Sequence, residues 1–202
     1  MRTLLLGLWI ALIATQYSPP RAMSAEREWT DLLAHNLRDW TRTGDGKNPW
    51  RLTAEGSLVC EKGNELYTPD REFADGTFKF EYRFRPNGEK TGFKAAVWAR
   101  QSRNGFGCRV ALGDNCGALS ATFQGASDRT KSLEEKPLTK AARPIGEWNQ
   151  VLVVLEGRMV NVSVNDKLVA SFSQSDTTKG LISLEAEGST VEFRDVMWKN
   201  GK

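Results

Sequence analysis

The stretch Thr77–Phe84, TFKFEYRF, decides the fold, because apolar and polar residues alternate along it. Its three phenylalanines and Tyr82 fall on one side, and its lysine, glutamate and arginine fall on the other. Successive side chains of a strand point to opposite faces of a sheet. This period of two therefore predicts a β-strand with one buried and one polar face.

Similar segments follow along the chain, separated by turn signals such as Glu156-Gly157-Arg158 and Asn165-Asp166-Lys167. No long stretch has a helical period, and only residues 31–39 have room for a helical turn or two. Many short strands with regularly spaced turns predict an all-β fold, a two-sheet antiparallel β-sandwich or jelly roll. The other predicted strands are Ser57–Cys60, Glu65–Tyr67, Ala95–Arg100, Cys108–Leu112, Val151–Leu155, Met159–Val164, Leu168–Phe172, Leu181–Glu185 and Val191–Lys199.

One long connection, residues 124–147, contains no segment with a strand pattern. Loops of this length in a compact domain are either lids or binding loops, or solvated excursions over a sheet edge, and both interpretations stay open. Neither a repeat nor a low-complexity linker interrupts the chain. We therefore expect residues 26–202 to form a single domain.

The first 25 residues are typical of a secretory signal peptide. A short basic start precedes the apolar run Leu4–Ala14, which Pro19-Pro20 ends, and small residues follow at 22–25. The apolar run is too short for a helix that spans a bilayer, which needs about 20 residues. We expect residues 1–25 to be removed and the product to be secreted or periplasmic, with no membrane association afterwards.

Composition excludes several functions. The 202 residues carry 28 Lys+Arg against 25 Asp+Glu, a net charge of +3, which gives no indication of nucleic-acid binding. His35 is the only histidine, and nucleotide-binding and hydrolase motifs are absent. Asp114-Asn115, Asn165-Asp166 and Asp128 could ligate a structural calcium ion, but they fit turn chemistry at least as well. We expect no cofactor and no metal.

The cysteines are an odd set of three: Cys60, Cys108 and Cys116. An exported protein can form disulfides, and the pair 108–116 is the closest in sequence. A tight turn between the two would place Cys116 opposite Leu112 rather than Cys108. Buried thiols are therefore the preferred interpretation, and the bridge is the alternative.

Polar residues fall on shared faces of three predicted strands. Parity places Lys94, Ala96, Trp98 and Arg100 on one face of a strand, and residues i and i+2 lie about 6.5–7 Å apart. Arg109 shares a face with Ala111, and Glu185 shares one with Glu187, in the same way. Two carboxylates at this spacing can reach one substrate, and Trp98 offers a flat surface for a sugar ring. The alternative is an ordinary solvent-facing sheet surface. The other tryptophans after residue 25 are interpreted as core or edge packing: Trp29, Trp40, Trp50, Trp148 and Trp198.

An ordered series of short segments resembles the 3-keto-disaccharide hydrolase family over essentially the whole chain after residue 25. The segments that carry the resemblance are Trp29–Leu33, Leu37, Trp40, Trp50, Glu55–Leu58, Gly63–Thr68, Phe73–Phe84, Gly146–Asn149, Glu156-Gly157, Val164–Asp166, Gly180–Leu184 and Val191–Val196.

This resemblance implies a concanavalin A-like jelly roll, export, and chemistry on 3-keto sugars. A ketone at C3 acidifies the hydrogen on C2, so the site needs a base and a cationic or hydrogen-bonding clamp for the enolate. Arg100 matches the family's arginine at the end of its strand, which makes it the best clamp candidate.

The chain departs from the family pattern at several positions. Arg109 and Ala111 stand where the family has Glu and Gln, and Glu185 and Glu187 stand where it has Gln and then His or Glu. Three functions stay open: an enzyme acting on 3-keto-glycosides, a non-catalytic glycan-binding module, and an interaction or wall-associated jelly roll without a sugar site. The expected partner is a carbohydrate. The predicted catalytic residues are Glu185, Glu187, Arg100 and Arg109, and the predicted substrate-binding residues are Trp98, Lys94 and Asp114.

Overall fold

A computed structural model describes residues 28–201, except 62, 87, 89–91, 104, 125–129 and 174, and gives only the backbone at 122–124 and 130–133. The predicted signal peptide and Asp128 lie outside the described residues. No helix in the described part could cross a membrane, and residues 32–39 form turns.

The strands are β1 (Thr30–Asp31), β2 (Thr41–Arg42), β3 (Trp50–Leu52), β4 (Leu58–Cys60), β5 (Asn64–Tyr67), β6 (Gly76–Phe84), β7 (Lys94–Gln101), β8 (Gly107–Gly113), β9 (Leu119–Gln124), β10 (Thr130–Glu135), β11 (Asn149–Glu156), β12 (Met159–Val164), β13 (Lys167–Phe172), β14 (Leu181–Ala186) and β15 (Val191–Asn200).

The strands form two antiparallel sheets. The first has the order β13-β12-β11-β6-β15-β4-β3, with β1 paired to β15. The second has the order β10-β9-β8-β7-β14-β5-β2. Neighbouring strands in both sheets are often far apart in sequence, which is typical of a jelly roll. The prediction of an all-β, two-sheet jelly roll is confirmed.

The core lies between the two sheets and is rich in aromatic side chains. In β6, Phe78, Phe80, Tyr82 and Phe84 are each at most 2 % exposed, as the alternation predicts. Burying one side chain of this kind stabilises the fold by about 1.5–3 kcal/mol. Trp198 of β15 is also buried. The first sheet therefore supplies most of the aromatic surface on which the second sheet packs.

The prediction of no strand within residues 124–147 is wrong for β10. This strand pairs with β9 from Thr130 opposite Gln124 to Glu135 opposite Leu119. Its sequence, TKSLEE, holds a single large apolar residue, so it lacks the alternation by which the other strands were recognised. It is the edge strand of the second sheet, where polar and charged residues discourage pairing with other chains.

All three cysteines are buried thiols, as preferred from the sequence, and the alternative bridge between Cys108 and Cys116 is not formed. Burial raises the pKa of both of these thiols. The Tyr82 hydroxyl donates a hydrogen bond to the sulfur of Cys116 at 2.9 Å. Both cysteines thus serve as small core residues.

Candidate functional site

The outer face of the second sheet carries most of the predicted site residues. In β14, Ile182 and Leu184 enter the core, which leaves Glu185 on the outer face. The register places Trp98 of β7 directly opposite Arg109 of β8. Because β7 lies between β8 and β14, the three polar side chains can meet above it.

Arg109, Glu185, Glu187 and Trp98 form one hydrogen-bonded cluster, which we call the Arg109 cluster. The Nε atom of Arg109 donates to Oε2 of Glu185 at 3.0 Å, and its Nη2 atom donates to Oε1 of Glu187. The indole Nε1 of Trp98 donates to the same Glu185 oxygen at 3.2 Å. Ala96, which lies opposite Glu185 on β7, is fully buried, and its small side chain leaves room for the arginine to cross the strand.

The charged side chains of this cluster are only 23–32 % exposed. Partial burial strengthens their mutual attraction relative to a fully hydrated surface pair. The cluster therefore holds two carboxylates, a guanidinium and an indole in fixed relation on the sheet face.

A pocket of about 430 Å³, which we call the Lys94 pocket, opens beside this cluster. Lys94, Arg109, Asp114 and Glu187 line it, so it brings together four of the seven predicted site residues. Oδ2 of Asp114 accepts a hydrogen bond from the backbone N–H of Gly92 at 2.7 Å, which fixes this carboxylate at the pocket rim. The volume is within the range of small-molecule sites.

Arg100 does not share the face of Trp98, so that prediction is wrong. Arg100 has a φ of 55°, and the pairing shifts between Trp98 opposite Ser183 and Gln101 opposite Leu181. Three steps on β7 thus match two on β14, which defines a β-bulge. The extra residue turns Arg100 towards the interior, where it is fully buried, and Gln101 takes the outward position.

The guanidinium of Arg100 instead joins three loops at one end of the sandwich, those that contain Ala74, Gly157 and Thr177. Its Nε and Nη2 atoms each donate to the carbonyl oxygen of Ala74 at 3.2 Å, and its Nη1 donates to that of Gly157 at 2.5 Å. Nη2 also pairs with Asp75 Oδ1 at 2.7 Å. Burial lowers the pKa of Arg100, while the Asp75 charge opposes that change. This arrangement indicates a structural arginine that no substrate on the outer face can reach.

Sequence reasoning missed a second polar group on the same face. Nε2 of Gln101 donates to Oε1 of Glu65 at 2.9 Å, and the hydroxyl of Ser183 donates to Oε1 of Gln101 at 2.7 Å. Beside them lies a pocket of about 380 Å³, the Tyr67 pocket, lined by Tyr67, Glu65, Gln101 and Arg103 among others. The sequence could have indicated that Glu65 and Tyr67 share the outer face, because they flank the apolar Leu66. The outward position of Gln101 could not be predicted in this way, because it depends on the bulge.

The outer face of the first sheet is organised differently. Arg83 and Arg194 stack on the ring of Trp148, with guanidinium carbons 4.5 and 4.0 Å from its centroid. Arg83 and Arg85 both donate to Glu192, whose side chain is only 2 % exposed. Burial acts to raise the pKa of Glu192, but the two arginine hydrogen bonds outweigh it and lower the pKa. Each of these three arginines is paired with a glutamate, Arg194 with Glu81 at 2.6 Å. Trp148 packs under two of them, as the prediction of core or edge packing expects. Trp40, Trp50 and Trp198 are buried, as predicted.

Among the described residues, no group of three or more His, Cys, Asp or Glu side chains could hold a metal ion. Two of the residues considered as calcium ligands instead accept hydrogen bonds from backbone N–H groups. Asp114 accepts the hydrogen bond from Gly92, and Asn165 accepts one from the backbone N–H of Gln150 at 3.0 Å.

The two-sheet fold and the family it matches define a carbohydrate-active jelly-roll domain. Residues 28–199 match the family described as the 3-keto-alpha-glucoside-1,2-lyase-like domain. The chain therefore belongs to this family, and the resemblance seen in the sequence is confirmed. No curated protein matches the sequence.

Several solved structures share the fold at low sequence identity. A candidate glycosyl hydrolase from Parabacteroides distasonis ATCC 8503 is 17 % identical with a TM-score of 0.65, covering 87 % of this chain and 100 % of its own. A β-glucanase from Bacillus licheniformis is 8 % identical with a TM-score of 0.61, covering 89 % and 100 %. The carbohydrate-binding module CBM66 from Bacillus subtilis is 14 % identical with a TM-score of 0.60, covering 80 % and 96 %. At these identities the likeness shows the fold alone.

Proposed function

We propose that the domain is an exported enzyme that cleaves 3-keto-glycosides in the Lys94 pocket. The observation that carries the proposal is the lining of this pocket, where the Glu187 carboxylate lies beside two cations, Lys94 and Arg109. A base next to cationic groups is the combination that enolate chemistry requires. The membership of the chain in a family described by 3-keto-glucoside lyase activity supports the same conclusion.

The reaction begins with the hydrogen on C2, which the neighbouring C3 ketone acidifies. The Glu187 carboxylate accepts this proton, and the electron pair of the broken C–H bond passes to the C3 oxygen as an enolate. Lys94 and Arg109 stabilise the negative oxygen. The enolate then restores the ketone, a C1–C2 double bond forms, and the C1–O bond breaks. The departing oxygen takes a proton from water at this open face, and water can afterwards add to the unsaturated sugar.

Glu187 is a better base candidate than Glu185 in this geometry. Oε2 of Glu185 accepts hydrogen bonds from both Arg109 and Trp98, and Glu185 is not among the residues that line the Lys94 pocket. Glu187 lines that pocket directly and accepts one hydrogen bond, through Oε1, from Arg109. We assign Glu185 the task of orienting Arg109, and Trp98 that of supporting a sugar ring.

The test is release of p-nitrophenol from p-nitrophenyl 3-keto-α-glucoside by the purified domain. Removing a general base costs about 10²–10⁴-fold in rate, so Glu187→Gln should lower turnover by at least about a hundredfold. Glu185→Gln should lower it less, because Arg109 loses a positioning partner but the base remains. Glu156→Gln, an exposed glutamate of the first sheet, is the matched control. Full activity of Glu187→Gln would refute the assignment of the base.

A non-catalytic glycan-binding module is the second candidate, and one observation favours it. Arg109 is hydrogen-bonded to both carboxylates, so each is already engaged by a partner within the protein. A binding module predicts quenching of tryptophan fluorescence by sugars, lost in Trp98→Ala, without turnover of any 3-keto-glycoside.

Export is part of the proposal and has its own test. The tripartite pattern of residues 1–25 supports it. The full-length chain expressed in a bacterium should appear outside the cytoplasm, and its mass should show cleavage near residue 25. An uncleaved cytoplasmic product would contradict this part of the proposal.

A further inference from the structure

The Lys94 pocket and the Tyr67 pocket lie on the same outer face, on opposite sides of the Arg109 cluster. Lys94 begins β7 and lines the first pocket, whereas Gln101 ends β7 and lines the second. A strand rises about 3.3 Å per residue, so the Cα atoms of these two residues are roughly 20 Å apart along β7, with the bulge shortening the distance slightly. A single sugar ring does not span this length of β7.

The chemistry of the Tyr67 pocket suits a neutral sugar. Tyr67 is half-buried and supplies an aromatic surface, which packs well against the apolar face of a ring. The amide of Gln101 is oriented by hydrogen bonds to Glu65 and Ser183, so its position is fixed before any ligand arrives. Amide, carboxylate and hydroxyl groups together can both donate to and accept from sugar hydroxyls.

The charge of this pocket also favours an uncharged ligand. Its lining contains one acidic and one basic side chain, Glu65 and Arg103. The guanidinium of Arg103 donates to the backbone carbonyl of Pro69 at 2.8 Å, which holds it at the pocket rim. An anionic polysaccharide would meet no excess of positive charge here.

We propose that the Tyr67 pocket is a second carbohydrate subsite, and that the domain acts on an oligosaccharide several rings long. The inference rests on the proposed function in that the reacting ring occupies the Lys94 pocket. The rings between the two pockets lie across Trp98, the aromatic side chain between them on this face. Gln101 and Tyr67 then determine chain-length preference, and they do so without contact with the reacting atoms.

The experiment measures binding affinity against chain length, which does not depend on turnover. The probes are malto- and cello-oligosaccharides of one to five glucose units, titrated calorimetrically into the complete mature chain. We expect five-unit probes of the preferred linkage to bind at least tenfold more tightly than glucose. Tyr67→Ala and Gln101→Ala should each reduce that ratio to below about threefold, whereas Tyr67→Phe should retain it.

Gln150→Ala is the matched control, because Gln150 is an exposed glutamine on the first sheet. It should keep the wild-type ratio, and thermal melts establish that every variant is folded. Equal affinity for all chain lengths, or a ratio that survives both Tyr67→Ala and Gln101→Ala, overturns the inference. Length-dependent binding without turnover of any 3-keto-glycoside supports this subsite while it refutes the proposed enzyme, so the two failures are distinguishable.

Discussion

Replacing Arg100 by methionine tests whether this arginine is structural or catalytic. The change keeps most of the apolar stem but removes the buried guanidinium, which donates to the backbone carbonyls of Ala74 and Gly157 and pairs with Asp75. A charged hydrogen bond contributes about 1.5–3 kcal/mol, and an acceptor left unsatisfied costs about 1–3 kcal/mol. The Asp75 side chain is 43 % exposed, so water takes over part of its interaction and we discount that pair.

These contributions predict a loss of about 3 kcal/mol in the free energy of unfolding. For a domain of this size each kcal/mol shifts Tm by about 2–4 °C, so Tm should fall by roughly 6–12 °C. The matched control is Arg51→Met, which breaks an exposed ion pair with Glu61 and should cost at most about 1 kcal/mol.

Urea denaturation followed by tryptophan fluorescence provides the measurement, with circular dichroism melts as a second probe. An unchanged free energy of unfolding in Arg100→Met would refute the structural interpretation. If that variant kept its stability but lost turnover, the result would favour the role that the family resemblance implies for Arg100, stabilisation of the enolate. A loss of stability equal to that of Arg51→Met would likewise show that the hydrogen bonds of the Arg100 guanidinium contribute nothing measurable beyond an exposed ion pair.

Three further predictions concern stability and thiol reactivity. The folded state lowers the pKa of Glu192. Its ionised carboxylate therefore stabilises the fold fully at pH values above the ordinary glutamate pKa, and this contribution is lost as the pH falls through the lowered pKa of the folded state. Glu192→Gln should therefore cost about 2 kcal/mol at pH 7, and urea denaturation should show a smaller difference from the wild type below about pH 4. The three buried thiols should all react with Ellman's reagent in guanidinium and react only slowly in the native state. Fewer than three reactive thiols per chain in guanidinium without a reducing agent would contradict the thiol assignment. A Cβ atom at Gly180 would lie 2.5 Å from the carbonyl carbon of Arg100, so Gly180→Ala should destabilise by about 1–3 kcal/mol, and an unchanged Tm would show that the bulge can shift.

The long strands were predictable because one face of each is buried. In β6, β8 and β11 the burial alternates along the strand, and the sequence alternates with it. The strands β1 and β2 contain two residues each, too few for a period to be seen. β10 is long enough, but an edge position removes the need for an apolar face, so its composition resembles that of a loop.

The candidate site was predictable as far as the strands are regular. Parity placed Trp98, Arg109 and Glu185 on one face correctly, because no irregularity in β7 or β14 interrupts the pairing from Trp98 to Ala95. It failed at Arg100, where a positive φ inserts one residue into the strand. A non-glycine residue in that conformation has no reliable local signature, since tertiary contacts rather than propensity hold it there.

The bulge in β7 separates two roles, interior packing and an outward position on the sheet face, which strand parity assigns to Arg100 and Gln101 the other way round. Arg100 turns inwards and closes the end of the sandwich, and Gln101 takes the outward position beside Tyr67. A match to the family at Arg100 is therefore explained by packing, and it carries no information about catalysis by this chain. The departures from the family pattern at Arg109 and Glu187 bear directly on the proposed function, because both side chains line the Lys94 pocket. Under the proposed function, catalysis depends on those two residues and on Lys94, whose charges would act on a bound keto sugar.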